Sequence, residues 1–240
     1  MKNVNELLQR AIILTCLSDR CAQEKNVIGG IPRSLTERNQ QCVAICNWME
    51  RMGYIDNCTE AEKIVFHKKV EKKSDVEVMQ MQIDYECIEP ILWSLGLIDK
   101  LSNYNDFVIT DFHPVLMFGR NHSLKELSSK CKLVSQDEFI KKREEAMLVY
   151  WRCIEAHSDV IKEKGLDIVI EEIFGEHHVD ILKDMELFDD SSKDFRIKQK
   201  IVGELNNAQL IKLTQIAEKR FYSFEWMADD DAWDEVDLVC

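Results

Sequence analysis

The stretch SQDEFIKKREEAMLVYWRCIEA, residues 135–156, decides the fold class. Ser135 stands three positions before Glu138, the spacing at which a hydroxyl and a carboxylate satisfy each other's backbone N–H groups at a helix start. Phe139, Ala146, Val149, Tyr150, Cys153 and Ile154 then form one apolar stripe at helical period, which leaves KKREE (141–145) as a solvated turn. The pattern predicts a helix over 136–163.

The same start signature recurs along the chain at Ser34 with Glu37, Thr59 with Glu62, and Ser123 with Glu126. Stops match the starts: Gly53 follows CVAICNWMERM and Gly96 follows ILWSL, as in helices closed by a left-handed glycine, and Gly165 and Gly175 punctuate the C-terminal half. These signals predict helices at about residues 6–24, 35–52, 60–73, 76–95, 124–131, 136–163, 166–174, 177–188 and 207–227. In the first, Leu7, Leu8, Ala11, Ile12, Leu14, Thr15 and Leu17 make an apolar face, with Gln9, Arg10 and Asp19 elsewhere. The stretch NYNDFVITDFHPVLMFG (103–119) has Pro114, Gly119 and β-branched residues, and reads as a long connection with room for a short strand or two. No linker, repeat or low-complexity tract interrupts the series. The expected architecture is all-α, a multi-helix bundle of about nine helices forming a single domain over 1–240.

Composition agrees with this reading. The 240 residues contain only 8 Gly and 3 Pro, and 45% are hydrophobic, which suits a helical globular protein and not a loop-rich or disordered one. With 31 basic and 44 acidic side chains the formal charge is −13. A chain that neutralised phosphates would need a basic field, so nucleic acid and anionic membrane surfaces are disfavoured as partners. No apolar run approaches the roughly 18 residues of a membrane span. The N-terminal AIILTCL (11–17) lacks the flanks of a secretory signal, because Glu6 sits in the would-be basic region and Asp19 and Arg20 replace a small-residue cleavage site. Nine cysteines, with no C-x-x-C and most embedded in apolar helical patterns, fit reduced thiols that act as small hydrophobes. A cytoplasmic location is the expectation.

Sites of known chemistry are hard to find. Phosphate-binding loops need glycines at fixed spacing, and the paired Gly29 and Gly30 precede Ile31 and Pro32 in an inter-helix loop. Cys42 and Cys46 have the i, i+4 spacing of a metal pair, but no second pair follows, and core packing is the better reading. His177 and His178 are adjacent and therefore on different helix faces. The basic cluster HKKVEKK (67–73) fits a helix end, where cations suit the dipole. No metal and no cofactor is expected. Any of the cysteines could be a nucleophile if a distant base activated it, and the sequence selects none.

The C-terminus differs from the rest. The last twelve residues, DDDAWDEVDLVC, hold six acids and no base, leaving seven of the 13 excess negative charges to the first 228 residues. Acidic tails are ordinarily solvated, yet Trp233 and Val236 are side chains that a tail has no reason to expose. A docked segment is expected, with Trp233 packed on the helices and its acids facing outward or meeting Lys219 and Arg220.

Several spaced features together resemble the domain of unknown function 4272 family, a bacterial group. They are ELLQRAIIL with Arg10 and Ala11; WMERMGYIDNCTEAEK; ILWSLGLIDKL with Trp93 and Gly96; AMLVYWRCIEA with Trp151; KRFYSFEWM with Arg220 and Trp226; and WDEV with Trp233 and Asp234. Leu148 stands where members often have arginine, Lys219 where they have glutamate, and Glu225 where they have asparagine, which favours a structural role for these signature residues. The resemblance implies a helical fold and no established activity. With Trp48, Trp93, Trp151 and Trp226 as core anchors and no catalytic constellation, the leading expectation is a non-catalytic binding or regulatory protein with a basic protein partner. It would be immunity-like if that partner were a basic toxin. The alternative is an enzyme with a Cys, His and carboxylate site in a helical cleft.

Overall fold

The computed structural model describes residues 1–25, 27–28, 30–71, 80, 82–116 and 123–238. Gly29, the start of the helix expected at 76–95, Gly119, Lys72 and Lys73 of the basic cluster, and the last two residues lie outside the described residues. The chain is mostly helical and divides into two compact units. The first comprises residues 1–101, 108–133 and 226–236, and the second 102–107, 134–225 and 237–240.

The first unit is built around α1 (Val4–Ala22). Leu7, Leu8, Ala11, Ile12, Ile13, Leu14, Cys16, Leu17 and Cys21 are all buried, and so are Arg10, Thr15 and Arg20. The helix is therefore enclosed around most of its circumference, where a single apolar face was expected. Arg10 is the clearest correction, since its polar neighbours in sequence had placed it on the outer face. After a two-residue hairpin of β1 (Val27–Ile28) and β2 (Ile31–Pro32), α2 (Leu35–Met52) and α3 (Glu60–His67) pack on α1 and on each other. A 3-10 turn (Asp84–Cys87) leads into α4 (Ile88–Ser94), and the short α5 (His113–Leu116) and α6 (Leu124–Ser128) complete the unit.

The second unit carries α7 (Gln136–Ile154), α8 (Asp159–Lys164), α9 (Leu166–Phe174), α10 (Glu176–Asp184) and most of α11 (Asn207–Ala228). Its core joins Leu148, Val149 and Trp151 of α7 to Ile170, Leu182, Phe195, Leu213 and Ala217. The helix expected over 136–163 is two helices. Glu155 caps α7 by donating its N–H to the Trp151 carbonyl, and Ser158, in extended conformation, opens α8.

Four expected capping boxes form with both reciprocal bonds: Ser34–Glu37, Thr59–Glu62, Ser123–Glu126 and Ser135–Glu138. Asn3 and Glu6 make a fifth at the start of α1, and Asn206 and Gln209 exchange equivalent bonds before α11. The connection at 103–119, which had room for a short strand, shows none over 103–116, and the antiparallel sheet β3 (Phe188–Asp189), β4 (Asp194–Ile197) and β5 (Lys200–Ile201) lies between the helices expected at 177–188 and 207–227, taking Phe188 from the first. Phe188 pairs with Phe195 and Ile197 with Lys200. Phe195 and Ile197 turn inward while Arg196 faces out, so the sheet buries apolar side chains at the two-residue period of a strand. Among the described residues no helix is long and apolar enough to cross a membrane.

Candidate binding site

A cavity of about 570 Å³ lies beside the N-terminal half of α1 in the first unit. Its geometry begins at Arg10, one turn and a half into the helix. Arg10 Nη1 donates to Glu62 Oε1 at 2.6 Å, and Nη2 reaches the Asn57 carbonyl at 3.4 Å. Glu62 does two jobs. As the third residue of α3 it accepts from the Thr59 N–H at 2.8 Å through Oε2, and through Oε1 it holds the guanidinium. Both side chains are nearly buried, so the start of α3 and the orientation of Arg10 are fixed together.

The guanidinium lies 4.6 Å from the centroid of the Trp233 ring, a distance at which a cation is attracted to the π face. Trp233 in turn meets Trp226 edge to face, with centroids 5.1 Å apart and planes at 74°. Lys2 closes the arrangement: its N–H donates to the Met227 carbonyl at 2.8 Å, its Nζ to the Asp231 carbonyl at 3.0 Å, and its ammonium stands 5.1 Å from the Trp226 ring. Residues 226–233 are thus docked, with Trp226 buried and Trp233 half-buried. The acids of the segment, Asp229, Asp230, Asp231, Asp234 and Glu235, remain exposed. The cations that hold it include Lys2 and Arg10, which sequence reasoning did not pair with it. Of the cations expected there, Arg220 donates to the Ser102 carbonyl at 2.6 Å and covers Tyr104, and Lys219 covers Tyr222.

Six carboxylates line the cavity, those of Glu6, Asp56, Asp230, Asp231, Asp234 and Glu235, against Lys2 and Arg10. Both cations are already engaged, so the surplus of the lining is negative. Cys58 also borders the cavity, and burial, reinforced by Glu62, pushes its thiol up to about 12. Such a shift disfavours the thiolate form. No histidine is among the described lining residues. The lining thus gathers negative charge beside the Trp226 and Trp233 rings.

The remaining signature residues lie elsewhere. Ala11 is fully buried on α1. Trp93 is buried on α4, and Gly96 follows it with φ +65°; a Cβ there would sit 2.2 Å from the Lys132 carbonyl oxygen. Trp151 packs edge to face on Phe174 at 5.3 Å in the second unit, where Arg220 also lies. Of the nine signature residues, Arg10, Trp226, Trp233 and Asp234 meet at the cavity. Sequence reasoning missed Lys2, Glu6, Asp56 and Glu62. The Thr59–Glu62 cap was legible, but nothing in the order of residues says that Glu62 faces Arg10.

Neither curated proteins nor solved structures gave a match to the chain. The family model described as domain of unknown function (DUF4272) matches residues 1–174, a span that holds the motifs from ELLQRAIIL to AMLVYWRC and ends before KRFYSFEWM and WDEV. With nearly three quarters of its 240 residues matched, the chain belongs to the DUF4272 family.

Proposed function

We propose that this chain is a non-catalytic binding protein that takes a basic segment of a protein partner in the acidic cavity of its first unit. One observation carries the reading: six carboxylates gather around a cavity of about 570 Å³ that is backed by the Trp226–Trp233 pair. Carboxylates attract and orient Lys and Arg side chains, and indole faces hold the same cations at short range. Burial pushes up the thiol of Cys58, which borders the cavity, and this weighs against a thiol enzyme there. A basic toxin restrained by an immunity-like protein is a partner of this kind. Seven of the eight described cysteines are buried and all eight are free thiols, in keeping with a cytoplasmic setting.

Affinity capture at low salt tests the proposal. The full chain should retain a basic partner that a chain truncated after Met227 does not, and the retained partner should elute as salt rises. Equal retention by the truncated chain would overturn the assignment to this cavity.

A further inference from the structure

The cysteine pair at metal-like spacing, Cys42 and Cys46, does not form a site, but Cys46 meets two other ligand types. Cys46 and Glu50 are one turn apart on the same face of α2, and His67 is the last residue of α3, which packs against that helix. Cys46 Sγ lies 3.7 Å from Glu50 Oε1 and 3.8 Å from His67 Nδ1, and the three ligand atoms all fall within 4.8 Å of one another. Cys42 instead sits near Arg20, Glu24 and Arg38.

We propose that Cys46, Glu50 and His67 form an open three-ligand site for a borderline-soft divalent cation of the Zn²⁺ class. Ligand bonds of about 2.0–2.3 Å in tetrahedral geometry place ligand atoms roughly 3.3–3.6 Å apart. The two separations from Cys46 Sγ exceed that by only a few tenths of an ångström, within reach of small side-chain rotations. The donor set selects the ion. Thiolate and imidazole favour Zn²⁺ and its transition-metal neighbours, whereas Ca²⁺ and Mg²⁺ take oxygen ligands. Accessibility sets the character of the site. Cys46 is buried while Glu50 and His67 are exposed, so three protein ligands leave the fourth position to water, as in open zinc sites and unlike closed structural ones.

An ion bound here would displace the Cys46 thiol proton to solvent. The frame is fixed independently of the ion. The Ser34–Glu37 box starts α2, Gly53 closes it in left-handed conformation, and the Thr59–Glu62 box starts α3. The site is distinct from the acidic cavity and does not depend on what that cavity binds.

The test uses the full chain, freed of metal with a chelator and then dialysed. Zn²⁺ titration against a chromophoric chelator should show one equivalent bound, and Co²⁺ added in stoichiometric amount should give thiolate-to-cobalt charge-transfer absorption with the d–d bands of a four-coordinate ion. His67→Ala and Glu50→Gln change exposed side chains and should fold as the parent does by circular dichroism, yet lose at least tenfold in Zn²⁺ affinity. Cys46→Ser should abolish the charge-transfer band, and if it fails to fold, the other two variants carry the result. Absence of the band in the parent chain, or equal Zn²⁺ affinity in the parent and His67→Ala, would overturn the site.

Discussion

Arg10 stands with its guanidinium 4.6 Å from the Trp233 ring while it donates at 2.6 Å to Glu62. One side chain of the central helix thereby ties the acidic segment to the start of α3. Removing either contact should be felt differently. Glu62→Ala leaves Arg10 buried without its carboxylate and also removes a helix cap, and should cost about 3–5 kcal/mol. Trp233→Ala removes a cation–π contact and an edge-to-face aromatic pair, and should cost about 1–3 kcal/mol. Chemical denaturation of the two variants checks both the values and their order.

In the second unit, Arg152 Nε and Nη2 each bond an oxygen of Asp194, at 2.9 and 2.8 Å, with both side chains almost wholly buried. Arg152 Nη1 also donates to the Glu155 carbonyl at 2.8 Å, and Asp194 accepts from the Phe195 N–H. The pair thus joins the end of α7 to β4. Asp194→Ala should destabilise by about 3–5 kcal/mol, because it strands a desolvated cation. A paired replacement of Arg152 and Asp194 by Met and Leu should recover most of that loss in urea denaturation.

Gly96→Ala should be severe for a residue at the surface of a turn. Its φ of +65° is strained for any side chain, and the added methyl would press on the Lys132 backbone, whose N–H bonds the Leu95 carbonyl at 2.9 Å. Strain and displacement together should exceed about 2 kcal/mol. The thermal midpoint reports the change.

His113 should make stability fall as the solution becomes alkaline. Its Nε2 bonds Asp19 Oδ2 at 2.8 Å and its Nδ1 bonds Asp111, and the hydrogen bond that the protonated ring donates to Asp19 chiefly lifts its pKa to about 9. A group whose folded pKa is raised contributes fully below its unfolded value of about 6.5 and loses that contribution as pH climbs to about 9. Denaturation midpoints at pH 6 and pH 9.5 should drop more for the parent chain than for His113→Gln.

The helical class was legible because each helix must satisfy its own first N–H groups, and Ser or Thr three positions before Glu announces that solution locally. Asn3 with Glu6 and Asn206 with Gln209 do the same with other residue types, and so passed unnoticed. The sheet at 188–201 was not legible. Lys198, at φ +57° in the turn between β4 and β5, stands where a glycine or asparagine would have signalled a hairpin. The docking of Trp233 could be argued from an indole in an acidic run, but its partners could not. Arg10 looks solvated in sequence, and only the start of α3, fifty residues on, makes its burial affordable. Cys46, Glu50 and His67 escaped for the same reason, since two come from one helix turn and the third from the next helix.

The carboxylates beside Trp226 and Trp233 are proposed to recognise a cationic segment. Tryptophan fluorescence titration with an arginine-rich peptide and with a glutamate-rich peptide of equal length, on the parent chain and on Asp231→Asn/Asp234→Asn, tests it most directly. The expected result is binding of the basic peptide alone, weakened by salt and at least about tenfold weaker in the double variant, which is the loss of roughly 1.4 kcal/mol. Equal binding of the basic peptide by the parent and the double variant, or no preference between the two peptides, would contradict it.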